Sequence, residues 1–558
     1  MSIVPQKGKV AVIGGGISGL TYAYFLGKLR PDLQIQLYEK SDRLGGYIRS
    51  KKLFTTEYDS RASQDYTILE KGPRTVRGGS SGIILLLDLL FKFKAQNDLL
   101  GISGTSLANR RYLVSPYVDT EGHSGKLTPV PYSVPSFLRF LFDPLGRGLV
   151  YGLLKEPFVR SKMANDETVE QFVTRRFNKS VSDNVVSAIM HGVYAGDAGK
   201  LSAKSVLPQL VDIEAKHGSI VRYYLSQLIQ TLQKKKPEDK LPADVAKYAE
   251  VFKPSFNLEK TTRFLRRFPV LTIRDGLETL VTLLHRNLPE NVTVKLNTGV
   301  TSVSSADNGL ELELSSGDKI LVDNVESTVS GASVASFINN PELSSLLGQI
   351  KYSSVLVVNV YLPAFKLLSH SGFGFLVPKS MQDETQLLGV IFDSEIEQNS
   401  RRLLFYNDVS TELTSPQPVS DENLGKLVQA VSKRGSVITN SYTKLTLMIG
   451  GHQFKSNDDL PTKSRVNKIV RDVLLSKLHI DLDKCNGTEE VEVEYVVDGI
   501  PQYEVGHSDR KHKILEVSEK EFQGKLVLGG TSVGDGVGVP DCIVKAFKDA
   551  YKVSGHGN

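Results

Sequence analysis

The chain has 558 residues, 40% of them hydrophobic and 23% charged, with a formal net charge of +6. That length exceeds what one core supports and points to several domains. The composition is that of an ordinary folded protein, and the small basic excess argues against a dedicated nucleic-acid binder while suiting a face that rests on anionic lipid.

Only Cys485 and Cys542 are present, and the ten histidines are scattered. A disulfide framework, a CxxC redox motif and a Cys-rich zinc site are excluded. Redox chemistry therefore has to come from a bound organic cofactor. No run of 18 or more uncharged apolar residues occurs, so no membrane-spanning helix is expected. The N-terminus carries neither a secretory nor a transit leader, so any targeting signal is expected to be internal.

Lys9–Ile13 (KVAVI) reads as a short buried strand, followed by a glycine turn at 14–19 and a helix through Arg30. Residues 34–38 form a second strand that ends at Glu39. This is the βαβ opening of an α/β sheet with helices on both faces. Gly14, Gly16 and Gly19 make GxGxxG. The first glycine permits the tight turn, the second the approach of a pyrophosphate, the third close packing of helix on strand. The pyrophosphate would sit on the helix N-terminus, where free N–H groups favour anions. Glu39 stands 20 residues beyond Gly19, where a carboxylate accepts hydrogen bonds from a ribose. The next segment, Asp42-Arg43-Leu44-Gly45-Gly46, suits a second close approach to phosphates. With no second GxGxxG in βαβ context, FAD is favoured over a separate nicotinamide site.

Residues 83–93 read as a buried helix, and 166–235 as helical. The run at 234–240 (KKKPEDK) reads as a solvated loop. Between residues 137 and 162, five basic residues stand against two acidic ones, interleaved with aromatic and aliphatic residues. Such a stretch can lie in a membrane interface without spanning it, although Pro144, Gly146 and Gly148 break any long helix and a loop-rich packing region fits equally well. From Pro269 the α/β pattern returns, with strands expected at 292–296, 310–314 and 320–325. Residues 350–505 mix strands (355–360, 444–449, 490–496) with helices near 421–433 and 465–478. The tail is strand (525–530), then a glycine-rich turn and helix over 533–554, the helix opened by Val537, Gly538 and Val539. Glycine-rich turns at both ends imply one cofactor domain assembled from distant segments.

Further motifs follow in order: Gly72-Pro73-Arg74; GVYAGD at 192–197 followed by Lys200-Leu201-Ser202; RDGLETL at 274–280, with Asp275 where a glycine is usual; GFGFLVP at 372–378; IPQYEVGH at 500–507; and GVGVPDCI at 536–543. Each is weak alone. Together, over residues 9–552, the chain resembles the oxygen-dependent protoporphyrinogen oxidases of mitochondrial type, within the monoamine oxidase and phytoene desaturase superfamily of FAD enzymes.

The resemblance implies oxidation of protoporphyrinogen IX to protoporphyrin IX in three two-electron steps, with O2 as acceptor and H2O2 as product. It implies that FAD is held by Gly14, Gly15, Gly16, Ile17, Ser18, Gly19, Glu39, Lys40, Arg43, Gly45, Gly46, Tyr47, Gly72, Pro73, Arg74, Thr75, Val300, Thr531, Val537, Gly538 and Val539. Arg74 could equally be a structural ion pair. The substrate needs an apolar slot and a rim cation. The resemblance implies Phe373, Leu376, Ile391 and Met448 around the rings, Gly192 offering a backbone carbonyl to a pyrrole N–H, and Arg110 on a propionate, with Arg111 one step away as the alternative. His191, beside Gly192, is a candidate proton acceptor. No metal is expected.

The implied architecture is a Rossmann-like FAD domain from residues 1–100, 241–345 and 506–558. A mixed α+β substrate domain would span 346–505 and a mainly helical membrane-docking domain 101–240. The implied location is peripheral, on the intermembrane-space side of the mitochondrial inner membrane, with a homodimer and a contact with ferrochelatase among the implied associations. Other readings are an amine oxidase or a carotenoid desaturase, which leave GVYAGD and GFGFLVP unexplained, and a non-catalytic binding module like the Rab GDP-dissociation inhibitors. Flavin colour separates the last from an enzyme.

Overall fold

The computed structural model describes residues 4–54, 66–117, 125–161, 166–232, 241–364, 366–404, 407–415, 417, 420–436, 438, 441–485 and 489–556. The expected charged loop at 234–240 and Lys162 lie outside the described residues, as does the side chain of Cys485.

Lys9–Ile13 is buried at every position but the first, so it can only be an interior strand. It lies at the centre of a five-stranded parallel sheet in the order Leu526–Leu528, Asn324–Ser327, Lys9–Ile13, Gln34–Tyr38, Val292–Lys295. These strands come from both ends and the middle of the chain. Helix Ile17–Leu29 is buried along nearly its whole length because the sheet covers one side and helices Val539–Ser554 and Gly82–Lys92 enclose the rest of this core. Cys542 lies in that packing, and burial pushes its thiol up to about 11, which leaves it neutral and unreactive at ordinary pH.

The single strand expected at 320–325 is two strands. Lys319–Val322 closes a three-stranded antiparallel sheet with Val300–Ala306 and Gly309–Leu314, whereas Asn324–Ser327 joins the parallel sheet. Asp323 makes the break: its N–H donates to Lys9 O (2.8 Å), and its Oδ2 accepts from Lys9 N (2.7 Å). Apolar residues on both sides of Asp323-Asn324 concealed this change of sheet. The last helix runs Val539–Ser554 with Gly538 at its N-cap, where the 537–539 opening was expected, and Pro540 stands in its first turn.

A seven-stranded sheet runs in the order Glu490–Gln502, Lys351–Leu362, Thr443–Gly450, Leu387–Ile391, Gly374–Leu376, Arg111–Val114, Leu127–Pro129. The last two strands fall in the stretch expected to be helical. They join the sheet because Arg111–Val114 pairs in parallel with Gly374–Leu376, a long-range pairing that local pattern does not announce. One face of this sheet, carrying Tyr112, Phe375, Val390, Leu447 and Val358, is buried against helix Lys463–Leu478. The opposite face carries the site.

Residues 134–232 are mostly helical. The chain is broken near Pro144 and Gly148, where Val134–Phe142, Pro144–Gly146 and Leu149–Lys155 form separate short helices. Arg176 and Glu156 form a fully buried ion pair at the centre. The outside is apolar: Phe142 is 91% exposed and Phe158 82%, with Tyr132, Val134, Leu138, Tyr151 and Leu154 also exposed. No helix among the described residues is long and apolar enough to cross a membrane.

Candidate functional site

The N-terminal glycine turn and the 42–46 turn are joined directly. Gly45 N–H donates to Gly15 O (2.8 Å), and Gly16 pairs with Gly45. A Cβ on Gly16 would meet nothing closer than Gly46 Cα at 4.0 Å, so two bare backbones face each other across open space. A Cβ on Gly19 would lie 1.9 Å from Gly14 O, which forces glycine there for helix-on-strand contact. Arg43 donates to Gly46 O (2.8 Å) and Ile48 O (2.7 Å), stapling the second turn shut. Glu39 accepts from Gly15 N (2.7 Å) and Ser41 N (2.9 Å), and its remaining lone pairs suit a ribose diol. Thr298 N–H donates to the backbone carbonyl of Glu39 (2.9 Å), which ties the segment leading into Val300 to the end of the second strand. Lys40 is exposed next to Gly299, and Ile17 and Ser18 are buried at the head of the helix. This double-glycine cradle with one carboxylate at its end fits the ADP half of FAD.

Tyr47 extends from the cradle to the Glu490–Gln502 strand, its hydroxyl 3.4 Å from Val497 O and Asp498 O. Gly72 passes directly over it: a Cβ there would be 2.0 Å from Tyr47 O. Pro73 is half-buried. Arg74 is held inward. Its Nη1 donates to Asp393 Oδ1 (3.0 Å) and also to Thr446 Oγ1, while Thr446 donates to Asp393 Oδ2 (2.6 Å) and Asn359 Nδ2 to Glu70 O (3.0 Å). The Arg74 guanidinium is thus spent on a structural ion pair that ties the 70–74 segment to the seven-stranded sheet. Thr75 lines, with Glu70 and Asp393, a cavity of about 50 Å³ behind it.

The C-terminal turn completes the seat. Thr531 O accepts from Tyr503 OH (2.5 Å). Val537 packs in the cluster that includes Tyr194 and Tyr503. Gly538 and Val539 open the last helix, where free N–H groups favour negative charge. One of those donors is already used, since Asp541 Oδ2 accepts from Gly538 N (3.0 Å). Burial pushes the Asp541 carboxyl above its ordinary range.

The expected ring-binding residues converge on the free face of the seven-stranded sheet. Leu376, Gly389 and Met448 lie in one cross-strand row, with Gly374, Ile391 and Thr446 in the next. Leu376, Ile391 and Met448 are half-buried while their neighbours on the other face are buried, so this is an accessible apolar floor. Gly192, near the end of helix Ser187–Tyr194, stands over Leu376: a Cβ would be 3.0 Å from its methyl group. Gly196 N–H donates to Met190 O (3.4 Å) rather than to Gly192 O, which leaves the Gly192 carbonyl clear of the helical ladder. Phe373 N–H donates to Arg110 O (2.7 Å), fixing its ring at the floor's edge.

The two candidate arginines part here. Arg110 points to the mouth, its Nη2 3.2 Å from Tyr132 OH and its guanidinium 5.0 Å from that ring's centre. Arg111 pairs with Gly374 and so shares the floor's face. Its guanidinium lies 5.7 Å from the centre of the Phe373 ring. His191 turns away from the site. Its Nδ1 is 2.7 Å from Val377 O, its Nε2 is 3.3 Å from Gln382 Nε2, and its ring stacks on His452. Burial pushes it down to about 4, so it is neutral and engaged rather than poised at the substrate. Arg77, exposed three residues beyond Arg74, lies outside the motifs singled out in the sequence. GPRxxR spacing was the available signal for Arg77.

A family model described as flavin containing amine oxidoreductase matches residues 17–395. The protoporphyrinogen oxidase of Saccharomyces cerevisiae is 32% identical over 98% of both chains. The coproporphyrinogen III oxidase of Bacillus subtilis is 25% identical over 96% of both. A solved putrescine oxidase variant superposes with a TM-score of 0.57 at 12% identity, covering 98% of this chain and 99% of that one, a likeness of fold alone.

Proposed function

Since this chain belongs to the flavin-containing amine oxidoreductases, and within them to the family of the protoporphyrinogen oxidases, we propose that it oxidises protoporphyrinogen IX to protoporphyrin IX, a step of haem biosynthesis. It is an FAD-dependent oxidoreductase. What carries this function to the site is the one-faced slot: an accessible apolar floor of Leu376, Ile391 and Met448, roofed by Gly192.

When bound, FAD supplies the two-electron acceptor, and dioxygen takes the electrons to H2O2 in each of three rounds. The protein's own part is binding and orientation. The slot takes the flat macrocycle between Phe373, Leu376, Ile391 and Met448 and keeps water off it. The Gly192 carbonyl accepts from a pyrrole N–H and sets the ring's rotation. Arg111, inside the cleft, takes a propionate, while Arg110 with Tyr132 guards the mouth. The N-terminus of Val539–Ser554 favours negative charge at the cofactor, with Asp541 limiting that field. The cradle residues from Gly14 to Tyr47, with Gly72, Pro73, Thr75, Val300, Thr531, Val537, Gly538 and Val539, hold FAD. Arg74 contributes by fixing the segment.

Segments 1–100, 241–345 and 506–558 are read as the cofactor domain, 346–505 as the substrate domain, joined by strands Arg111–Val114 and Leu127–Pro129, and the helical remainder as a peripheral membrane-docking unit. Exposed Phe142, Phe158, Tyr151 and Leu154 beside Arg139, Arg147 and Lys155 support docking. Helix Ile220–Leu232 extends the patch with exposed Tyr224, Leu225, Leu228 and Ile229. The location that goes with this reading is the mitochondrial inner membrane, peripheral, on its intermembrane-space face.

The test is aerobic porphyrin fluorescence after adding protoporphyrinogen IX or coproporphyrinogen III to the yellow holoenzyme. Protoporphyrin is expected to form well ahead of the enzyme-free blank and faster than coproporphyrin. The bacterial relative favours coproporphyrinogen III as the second reading, and the opposite ranking would establish it. No acceleration with either would reject the function.

A further inference from the structure

The motif at 500–507 supplies no residue to the floor or the cradle, yet its first four residues reach the floor, the roof and the C-terminal turn in succession. Ile500 and the floor residue Met448 pack against the same buried side chains, Ala195, Val355 and Leu388, and Ala195 caps the helix that carries Gly192. Gln502 is buried, and its Nε2 donates to Tyr194 O (2.9 Å), at the end of that helix. A Cβ on Gly196 would come within 2.5 Å of Gln502 Oε1, which accounts for the second glycine of GVYAGD. Tyr503 is buried, and its hydroxyl donates to Thr531 O (2.5 Å) and stands 3.4 Å from Gly536 O, at either end of the turn before the last helix.

The segment has little freedom to move. Up to Gln502 it is strand, paired with Lys351, Tyr352 and Ser353 in the seven-stranded sheet. Beyond that, Tyr503 O accepts from Ser202 N (2.8 Å), Val505 N donates to Lys200 O (3.2 Å), and the Tyr503 ring stacks on His507 with centres 4.3 Å apart and planes 19° from parallel. A tyrosine has only two side-chain torsions to fix, so a buried one makes a stiff spacer. Reaction between two bound partners depends steeply on their placement, and an error of about 1 Å costs on the order of a hundredfold. The slot and the cofactor turn come from different sheets and distant parts of the chain, and a short rigid segment bonded to both fixes one against the other.

We propose that Ile500–Tyr503 ties the substrate slot to the cofactor seat at a fixed separation, with Gln502 and Tyr503 as positioning residues. Gln502 holds the end of the helix that presents the Gly192 carbonyl, and Tyr503 holds the 531–536 turn. The inference rests on the porphyrinogen reading above and on the FAD seat assigned there to Thr531 and Val537–Val539. Because the two residues are consecutive, a displacement at one end is passed to the other. The slot and the seat are therefore coupled, and such coupling is reciprocal.

The test uses holoenzyme and two conservative variants, each cutting one end of the tie. Tyr503→Phe removes the hydroxyl bonded to the cofactor turn, and Gln502→Met the amide bonded to the helix. Tyr503→Phe is expected to weaken equilibrium binding of protoporphyrin IX, and Gln502→Met to speed release of FAD, each about fivefold, the low end of ordinary coupling between sites. Both are expected to slow anaerobic bleaching of the flavin by protoporphyrinogen IX about tenfold or more, while dithionite-reduced enzyme is reoxidised by O2 at the wild-type rate. Effects confined to each variant's own end, FAD release in Tyr503→Phe and porphyrin binding in Gln502→Met, overturn the tie. So does bleaching at the wild-type rate in both variants, or reoxidation slowed as much as bleaching, which would mark general damage to the seat. Wild-type flavin bleached by protoporphyrinogen IX, with neither cross-effect in the variants, keeps the activity and rejects the tie. Both cross-effects, with no bleaching in wild type, support the tie and reject the activity.

Discussion

Arg74 and Arg77 are three residues apart, and their surroundings differ: the first is buried and the second exposed. Arg74 is neutralised by Asp393 inside a network that includes Thr446 and Asn359, so removing it leaves a buried carboxylate without its partner. Arg77 has no such partner among the described residues. Sequence spacing could not distinguish them, because the deciding carboxylate is 319 residues away. The same holds for His191. Next to Gly192 it invites a catalytic role, but its bonds run to Val377 and Gln382. Its environment makes a different, testable prediction. Burial first, then His452, depresses it to about 4 from an ordinary 6.5. The unfolded chain therefore takes up this proton near pH 6.5 and the folded chain only near 4, so stability is complete above neutrality and is lost as pH falls through that window. His507, also pushed to about 4 by burial and by Lys511, acts in the same direction. The melting temperature should fall between pH 6.5 and 4, with His191 contributing on the order of 3 kcal/mol at the acid end. His191→Gln should flatten the slope; an identical slope in the variant would remove His191 from the account.

At the scale of elements, the helical region depends on one buried carboxylate. Glu156 is fully buried and pairs with Arg176. It also accepts from Ser219 Oγ (2.5 Å), Ile220 N (2.9 Å) and Val221 N (3.1 Å). It thereby caps helix Ile220–Leu232 and ties it beside Phe158. The capping follows from free N–H groups at a helix start attracting negative charge, but sequence does not reveal a cap supplied from 64 residues upstream. Arg176→Ala should strand this carboxylate and cost roughly 3–5 kcal/mol, read as a lower denaturant midpoint. A loss below about 1 kcal/mol, the scale of an exposed pair, would mean that water reaches the pair. Elements with strong local patterning were legible. Lys9–Ile13, Gln34–Tyr38 and the helix after the glycine turn stand where valine-rich strands and GxGxxG place them. The 320–325 stretch was not, because apolar alternation says nothing about which sheet receives each half.

At the scale of the whole molecule, the apolar faces sort into two kinds. The floor of the slot is enclosed by the cofactor seat and the Gly192 helix. The outer face around Phe142 and Phe158 has no cover among the described residues and carries a basic rim, as a surface seated on anionic lipid requires. The double substitution Phe142→Glu, Phe158→Glu should weaken sedimentation with anionic vesicles at least about tenfold, given ~0.8 kcal/mol per buried methylene in lipid. Flavin content and turnover in detergent should be retained. Binding that is insensitive to these charges, or equal on neutral vesicles at low salt, would place the docking face elsewhere.

Sequence by itself determined the chemistry that short spacings encode. The glycines of the cradle and Glu39 pointed to a bound dinucleotide, because phosphate approach and close packing each demand a residue type at a fixed local interval, and the ordered motifs from Gly72 to Ile543 carried the family resemblance that implied a tetrapyrrole substrate. Tertiary structure decided everything that depends on a partner far along the chain. It put Arg111 rather than Arg110 on the floor through parallel pairing with Gly374, tied Arg74 to Asp393, and engaged His191 with Val377. The reason is physical. A charged side chain's role is fixed by what neutralises it, and that neighbour is chosen by the fold.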